Sequence, residues 1–155
     1  MMARPKVLLM KRLPSEITAY LEEHCELMDK SEPGYSKTEL QTTLAEAEGL
    51  LQAGVSIDRE LLESAPRLRV VSNVSVGYNN YDLDAMISHR VIGTHTPSVL
   101  NDTVADLVFA LMLAAARRVT ELDRFVRRGQ WTEALQEEDY FGVDVHHATL
   151  GIIGM

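Results

Sequence analysis

Short apolar runs alternate with amphipathic segments along the chain, the signature of an α/β fold with a parallel sheet. Residues 6–10 (Lys-Val-Leu-Leu-Met) read as the first strand. Residues 15–24 follow as a helix with Ile17, Tyr20, Leu21 and His24 on one face. Residues 26–29 read as a weaker strand. Ser36-Lys-Thr-Glu39 has the form of a capping box, in which serine and glutamate oxygens each satisfy a free backbone N–H at the helix start. Leu40, Leu44 and Ala47 then supply that helix's inner face. Residues 49–52 read as a third strand, and residues 58–64 as a short helix stopped by Pro66. A fourth strand over 69–74 is β-branched and precedes Gly77. Asp82 caps a helix carrying Leu83, Met86 and Ile87 inward, and residues 91–94 form a fifth strand. Pro97 breaks the chain before a long helix capped by Asn101 and running to about Arg118. Its all-round apolar stretch predicts deep burial. Five strand–helix units predict a flavodoxin-like, doubly wound parallel sheet.

The tail has a different character. Residues 120–129 read as a further helix, Trp131 packs after it, and residues 137–139 form a polar loop. Thr149-Leu-Gly-Ile-Ile-Gly-Met155 reads as a fresh buried strand arriving at a tight turn. The expected organisation is a flavodoxin-like domain over 1–139, including its long C-terminal helices. Residues 140–155 then form a hinge and the first strand of an incomplete Rossmann domain.

Composition narrows the function classes. The 155 residues suit one domain, with 46% apolar and 25% charged residues, as in ordinary soluble proteins. A formal charge of −8, from 15 basic against 23 acidic residues, argues against a nucleic-acid or anionic-membrane surface. Cys25 is the only cysteine, so these residues form no internal disulfide and no thiolate metal cluster, in keeping with a reducing cytoplasm. The apolar run 7–10 is shorter than the roughly 7–15 residues of a secretory signal, and the run 107–116 falls short of the ~20 that span a membrane.

Candidate chemistry gathers at strand ends. Gly77 lies just past the carboxyl end of the fourth strand, where doubly wound sheets keep their ligands and where outward-facing backbone N–H groups can bind an anion. Three motifs carry a family resemblance: Ser75-Val-Gly-Tyr-Asn-Asn-Tyr-Asp82, Thr96-Pro97 and Asn101-Asp-Thr-Val-Ala-Asp106. In order and spacing they resemble the D-2-hydroxyacid dehydrogenases, over essentially the whole chain but only about half of a family member. Asp144-Val-His-His-Ala-Thr-Leu-Gly-Ile-Ile-Gly-Met155 is similar to the bacterial glyoxylate/hydroxypyruvate reductases, which also reduce 2-ketogluconate.

The resemblance implies reduction of a 2-keto acid to a D-2-hydroxy acid with NADH or NADPH, by a protein that is a homodimer when complete. It implies that main-chain amides at Val76 and Gly77 hold the substrate carboxylate. Leu51 and Gln52 belong to the pocket loop, and Thr103 faces the nicotinamide end of the cofactor. Gly154 resembles the first glycine of the dinucleotide fingerprint. The arginine that polarises the ketone and the histidine–glutamate pair that supplies the proton match no position here. The fragment alone is therefore expected to bind no cofactor and to be inactive.

Other readings weigh less. His146 and His147 beside Asp144 are adjacent on an extended chain, so they point apart and converge poorly on a metal. They read as hinge residues. Arg117, Glu121, Arg124 and Arg128 share a helix face, with Arg117 and Glu121 placed as an i,i+4 pair on a solvated surface. His24 and His89 carry no partner pattern, and no G-x-S-x-G nucleophile elbow appears. The alternative function is a non-catalytic, flavodoxin-like ligand-binding or interaction module. A receiver domain is disfavoured because Lys11-Arg12 stands where an acidic pair is needed. A flavodoxin is disfavoured because Lys11-Arg12-Leu13-Pro14 lacks a phosphate cradle.

Overall fold

A computed structural model describes residues 3–31 and 36–153, in two compact units spanning residues 1–99 and 100–155. The first unit alternates strand and helix: β1 (Lys6–Leu9), α1 (Ser15–His24), β2 (Glu26–Asp29), α2 (Lys37–Glu46), β3 (Gly49–Gln52), α3 (Arg59–Ser64), β4 (Val70–Asn73), α4 (Leu83–His89) and β5 (Ile92–Thr94). All strand pairs are parallel, in the order β2-β1-β3-β4-β5. That is the flavodoxin-like order the alternation predicts.

Right-handed crossovers put α1 on one face of such a sheet and α2, α3 and α4 on the other. The two faces are buried very unequally. Leu8, Leu50 and Val71 stand side by side in register, each at most 1% exposed. Leu44, Ala47, Ile57, Leu62, Ala65, Leu68, Ala85 and Met86 complete that core. Each large side chain in it contributes roughly 1.5–3 kcal/mol by leaving water. On the opposite face Leu9 is buried but Leu51 and Ser72 are only half-buried. No residue of α1 is buried, and Ile17 and Tyr20 stay exposed, so the face assigned to that helix is largely uncovered.

Local chemistry sets the helix starts. Ser36 Oγ accepts from the Glu39 N–H at 3.2 Å while the Glu39 carboxylate accepts from the Ser36 N–H at 2.7 Å, the expected capping box. Asp58 and Asp82 cap α3 and α4 through the N–H groups of Leu61 and Ala85. Helix α4 buries Ala85 and Met86 but leaves Leu83 and Ile87 exposed, against expectation. A seven-residue helix offers little more than one buried stripe. Leu83 and Ile87, one turn apart, lie together on a second stripe that faces an open groove with Tyr78 and His95.

The second unit contains α5 (Asn101–Ala116), α6 (Val119–Arg127) and α7 (Glu137–Tyr140) and no strand among its described residues. Four expectations are corrected here. Asn101 does not cap α5: the chain has already turned by Leu100, which is the N-cap and makes no side-chain bond. Helix α5 has no buried residue, and Leu107, Phe109 and Leu111 are more than half exposed, because the residues of its own unit are too few to cover an all-round apolar helix. Arg118 takes a left-handed φ of 53° that separates α5 from α6. Arg117 therefore lies in the turn before α6 while Glu121 lies within it, and Arg118 pairs with Glu121 instead, at 2.7 Å. Residues 137–140 form a one-turn helix rather than a loop, its start held by the Asp139 carboxylate, which accepts from the Gln136 N–H at 2.9 Å.

Trp131 packs on Tyr140, with ring centroids 5.1 Å apart. Of residues 149–155, expected as a buried strand, the described residues 149–153 take no strand conformation, and Leu150 and Ile152 are exposed. A parallel strand is built from ladders to neighbouring strands, and the described residues of this unit offer none.

Gly93 in β5 tests how tightly the sheet edge is packed. A Cβ there meets the Tyr81 ring at 2.8 Å and the Met86 Cε at 3.0 Å. Tyr81 is anchored, since its hydroxyl lies within donating distance of the carbonyls of Thr94 (2.9 Å) and Val71 (3.2 Å), which share its one proton. Burial pushes its phenol up from the ordinary value, which keeps the hydroxyl a donor. Gly93→Ala is expected to lower stability by about 1–3 kcal/mol in urea titration. An unchanged midpoint would show that the ring swings aside freely.

Candidate functional site

The carboxyl ends of β3, β4 and β5 continue into three loops that are tied together by side chains. Gln52 and Asn73 are register partners on adjacent strands and sit on the same face as Leu50 and Val71, two residues further on. They are 0% and 2% exposed, the buried polar residues at the end of an apolar core. The Gln52 amide donates to Asn73 Oδ1, and Gln52 Oε1 accepts from the Val55 N–H at 2.8 Å. Asn73 Nδ2 donates to Asn80 Oδ1 at 2.8 Å and to the Gly77 carbonyl at 3.0 Å. Asn80 Nδ2 donates in turn to the Val55 carbonyl at 2.7 Å.

Every buried polar side-chain atom among the described residues is satisfied. The backbone follows the same plan. Gly54, at φ 81°, turns the β3 loop in a way few other residues allow. The Ile57 N–H then donates to the Asn80 carbonyl at 2.8 Å, and Ile57 bridges Tyr81.

This scaffold carries residues 75–78 at the surface. The Val76 carbonyl meets His95 Nδ1 at 2.8 Å, and the Gly77 carbonyl accepts from Ser75 Oγ at 2.9 Å as well as from Asn73. The Thr96 N–H donates to the Ser75 carbonyl at 3.0 Å, joining the β5 loop to the β4 loop. By contrast, the N–H groups of Val76, Gly77 and Tyr78 donate to no acceptor among the described residues. Free main-chain N–H groups whose carbonyls are held elsewhere leave a patch of partial positive charge open to an anion. Val76, Gly77 and Tyr78 are all exposed.

The residues singled out from sequence fall into separate groups. Val76 and Gly77 form this patch. Leu51 lies in β3, half-buried, with its carbonyl accepting from the Met10 N–H at 2.9 Å. Gln52 belongs to the buried network, with its side chain turned to Asn73 and Val55. Thr103 is exposed in the first turn of α5, and its hydroxyl donates to the Leu100 carbonyl at 3.1 Å. Gly154 lies outside the described residues.

Sequence reasoning missed Asn73, Asn80 and His95. For Asn73 a signal existed: a polar residue two positions after Val71 shares its core-facing side of the strand and must find partners there. His95 gave none, because its partner is a carbonyl nineteen residues away.

Other polar groupings are open to solvent. His146 Nε2 lies 3.5 Å from Asp144, which also meets Arg117 at 3.5 Å, and all three are mostly exposed. No three metal-ligating side chains come together among the described residues. Cys25 is buried and its thiol donates to the Leu21 carbonyl. No described helix is long and apolar enough to cross a membrane.

Residues 7–148 match the family model of the D-isomer specific 2-hydroxyacid dehydrogenase catalytic domain. The chain is 46% identical over 153 residues to glyoxylate/hydroxypyruvate reductase B of Klebsiella pneumoniae subsp. pneumoniae, covering 98% of this chain and 47% of that protein. It is 44% identical over 155 residues to the protein of that name from Yersinia enterocolitica, with the same coverage. A crystal structure of a 2-hydroxyacid dehydrogenase from Ketogulonicigenium vulgare superposes with a TM-score of 0.77 at 27% identity, covering 93% of this chain and 45% of that one. The chain thus spans about half the length of the relatives it matches.

The amide network generates a stability prediction. Gln52→Met keeps the side-chain volume but leaves the Val55 N–H and Asn73 Oδ1 each one partner short. It is expected to cost about 1–3 kcal/mol and to speed amide exchange at Val55. Unchanged stability and exchange would mean the loops hold together without it.

Proposed function

The chain belongs to the D-isomer specific 2-hydroxyacid dehydrogenase family, and from that premise we propose that it is the substrate-binding part of a 2-keto acid reductase. The substrates are small 2-keto acids of the glyoxylate, hydroxypyruvate and 2-ketogluconate type, reduced to D-2-hydroxy acids with NADH or NADPH. One observation carries the reading: the N–H groups of three consecutive exposed residues, Val76, Gly77 and Tyr78, have no acceptor among the described residues at the carboxyl edge of the sheet. A carboxylate accepts from such donors without a charged side chain, and charge-assisted bonds of this kind are about twice as strong as neutral ones. Leu51 lines the neighbouring strand end, and Gln52 holds the loop that frames it.

A dinucleotide cradle needs a glycine-rich turn between a strand and a helix N-terminus. In this reading the cradle belongs to the longer protein, and the residues near Val76 and Gly77 carry the substrate anion. Thr103 and Gly154 are the positions proposed to meet the cofactor in the longer protein, which is proposed to be a homodimer. Residues 1–139 form the substrate-binding domain in this reading, and residues 140–155 lead into the nucleotide-binding one.

Two outcomes test the proposal. In Gly77 a Cβ would meet only Asn79 Oδ1, at 4.0 Å, so a side chain there is tolerated by the fold but crowds the free amides. Gly77→Val is expected to leave urea stability unchanged and to weaken glyoxylate binding about tenfold, read from amide shifts of the 15N-labelled chain. Equal binding by the variant would remove residues 76–78 from the site. Separately, the 155-residue chain alone is expected to oxidise neither NADH nor NADPH with glyoxylate or hydroxypyruvate. Measurable turnover by the pure chain would place the catalytic groups within it.

A further inference from the structure

We propose that His95 is a positioning residue that locks the Val76–Gly77 peptide in its anion-binding orientation, an inference that rests on the carboxylate-binding reading above. A trans peptide is planar, so its C=O and N–H point in opposite directions. Whatever holds the carbonyl of Val76 also aims the N–H of Gly77. His95 Nδ1 lies 2.8 Å from that carbonyl. A carbonyl oxygen only accepts, so the contact assigns the proton to Nδ1.

The next peptide is held the same way by other groups. The Gly77 carbonyl accepts from Asn73 Nδ2 at 3.0 Å and Ser75 Oγ at 2.9 Å, which aims the Tyr78 N–H.

The two locks differ in kind. Asn73 is buried and fixed from several sides, so the Gly77–Tyr78 peptide is set by the core. The Val76–Gly77 peptide has no such support: it precedes a glycine, which accepts either orientation of the preceding plane at little cost. His95 supplies the missing constraint from the β5 loop. The imidazole is half-buried, edge-on to the Tyr78 ring at 5.0 Å, and the Thr96–Ser75 backbone bond of 3.0 Å fixes its loop against the anion loop. Removing the donor leaves the Gly77 N–H free to turn away, so the ligand must pay for reorienting it on binding.

The test uses the 15N-labelled 155-residue chain titrated with glyoxylate. His95→Phe keeps a ring against Tyr78 and removes the donor. His95→Asn places an amide N–H at the position of Nδ1. His95→Phe is expected to bind glyoxylate three- to tenfold more weakly (roughly one neutral hydrogen bond), with the Gly77 amide signal shifted or broadened before any ligand is added. His95→Asn is expected to restore both affinity and signal. Affinity unchanged in His95→Phe, or lost equally in His95→Asn, would overturn the assignment. If the Gly77 and Tyr78 amides of the wild-type chain ignore glyoxylate, the carboxylate-binding reading itself fails, and this inference with it. A wild-type response with indifferent variants would overturn the His95 role alone.

Discussion

Two carboxamides buried between the carboxyl ends of β3 and β4 decide the shape of everything above them. Gln52 and Asn73 occupy positions that the period-2 pattern of their strands turns toward the apolar core, where an unsatisfied amide costs about 1–3 kcal/mol. The chain meets that constraint by bringing loop groups down to them: the Val55 N–H, the Gly77 carbonyl and the Asn80 side chain. Burial thus converts a polar demand in the core into a defined loop conformation at the surface. Because the network shares acceptors and donors, its members act as a unit, and loosening one loosens both loops.

The sheet was legible in the sequence because its determinants are local. All five strands, α1 and the capping box of α2 follow from periodicity and end chemistry, with boundaries shifted by a residue or so at β1, β4 and β5. The loop at the carboxyl end of β4 was legible too, through Gly77 and its surroundings. What the sequence hid depends on partners. Asn80 and His95 gain meaning only from groups brought near by the fold, the Val55 and Val76 carbonyls among them. The inward face assigned to Leu83 and Ile87 failed for a related reason: apolar character states what a side chain prefers, while burial requires something to cover it. Arg117 and Glu121 failed because one left-handed residue, Arg118, reset the helical phase between them.

The same distinction explains the contrast between the two units. In the first, one sheet face is closed by three helices and reaches near-zero exposure, while the face of α1 remains partly open. In the second, α5, α6 and α7, with no strand among the described residues, leave Val104, Leu107, Phe109 and Leu111 exposed. The apolar character of α5 is thus, like that of Leu83 and Ile87, a preference that the residues of its own unit do not meet.

The site's electrostatics follow from how it is held. Residues 49–57, 70–81 and 91–101, which make the three strands and their loops, contain no Asp, Glu, Lys or Arg, although a quarter of the chain is charged. With a net charge of −8 the protein repels small anions at long range, so a carboxylate beside the loop would add a short-range penalty to that field. Carboxamides avoid it. Asn and Gln supply both donors and acceptors, which lets Asn73 hold the Gly77 carbonyl while accepting from Gln52 and bringing no charge of its own. A positive side chain in the same place would bind the anion by itself, but as a point charge it would fix neither its plane nor its depth. Backbone N–H groups aimed by neutral anchors bind more weakly and orient more strictly. Under the proposed reduction of a 2-keto acid, which presents one face of a carbonyl to a hydride, orientation is the property worth preserving.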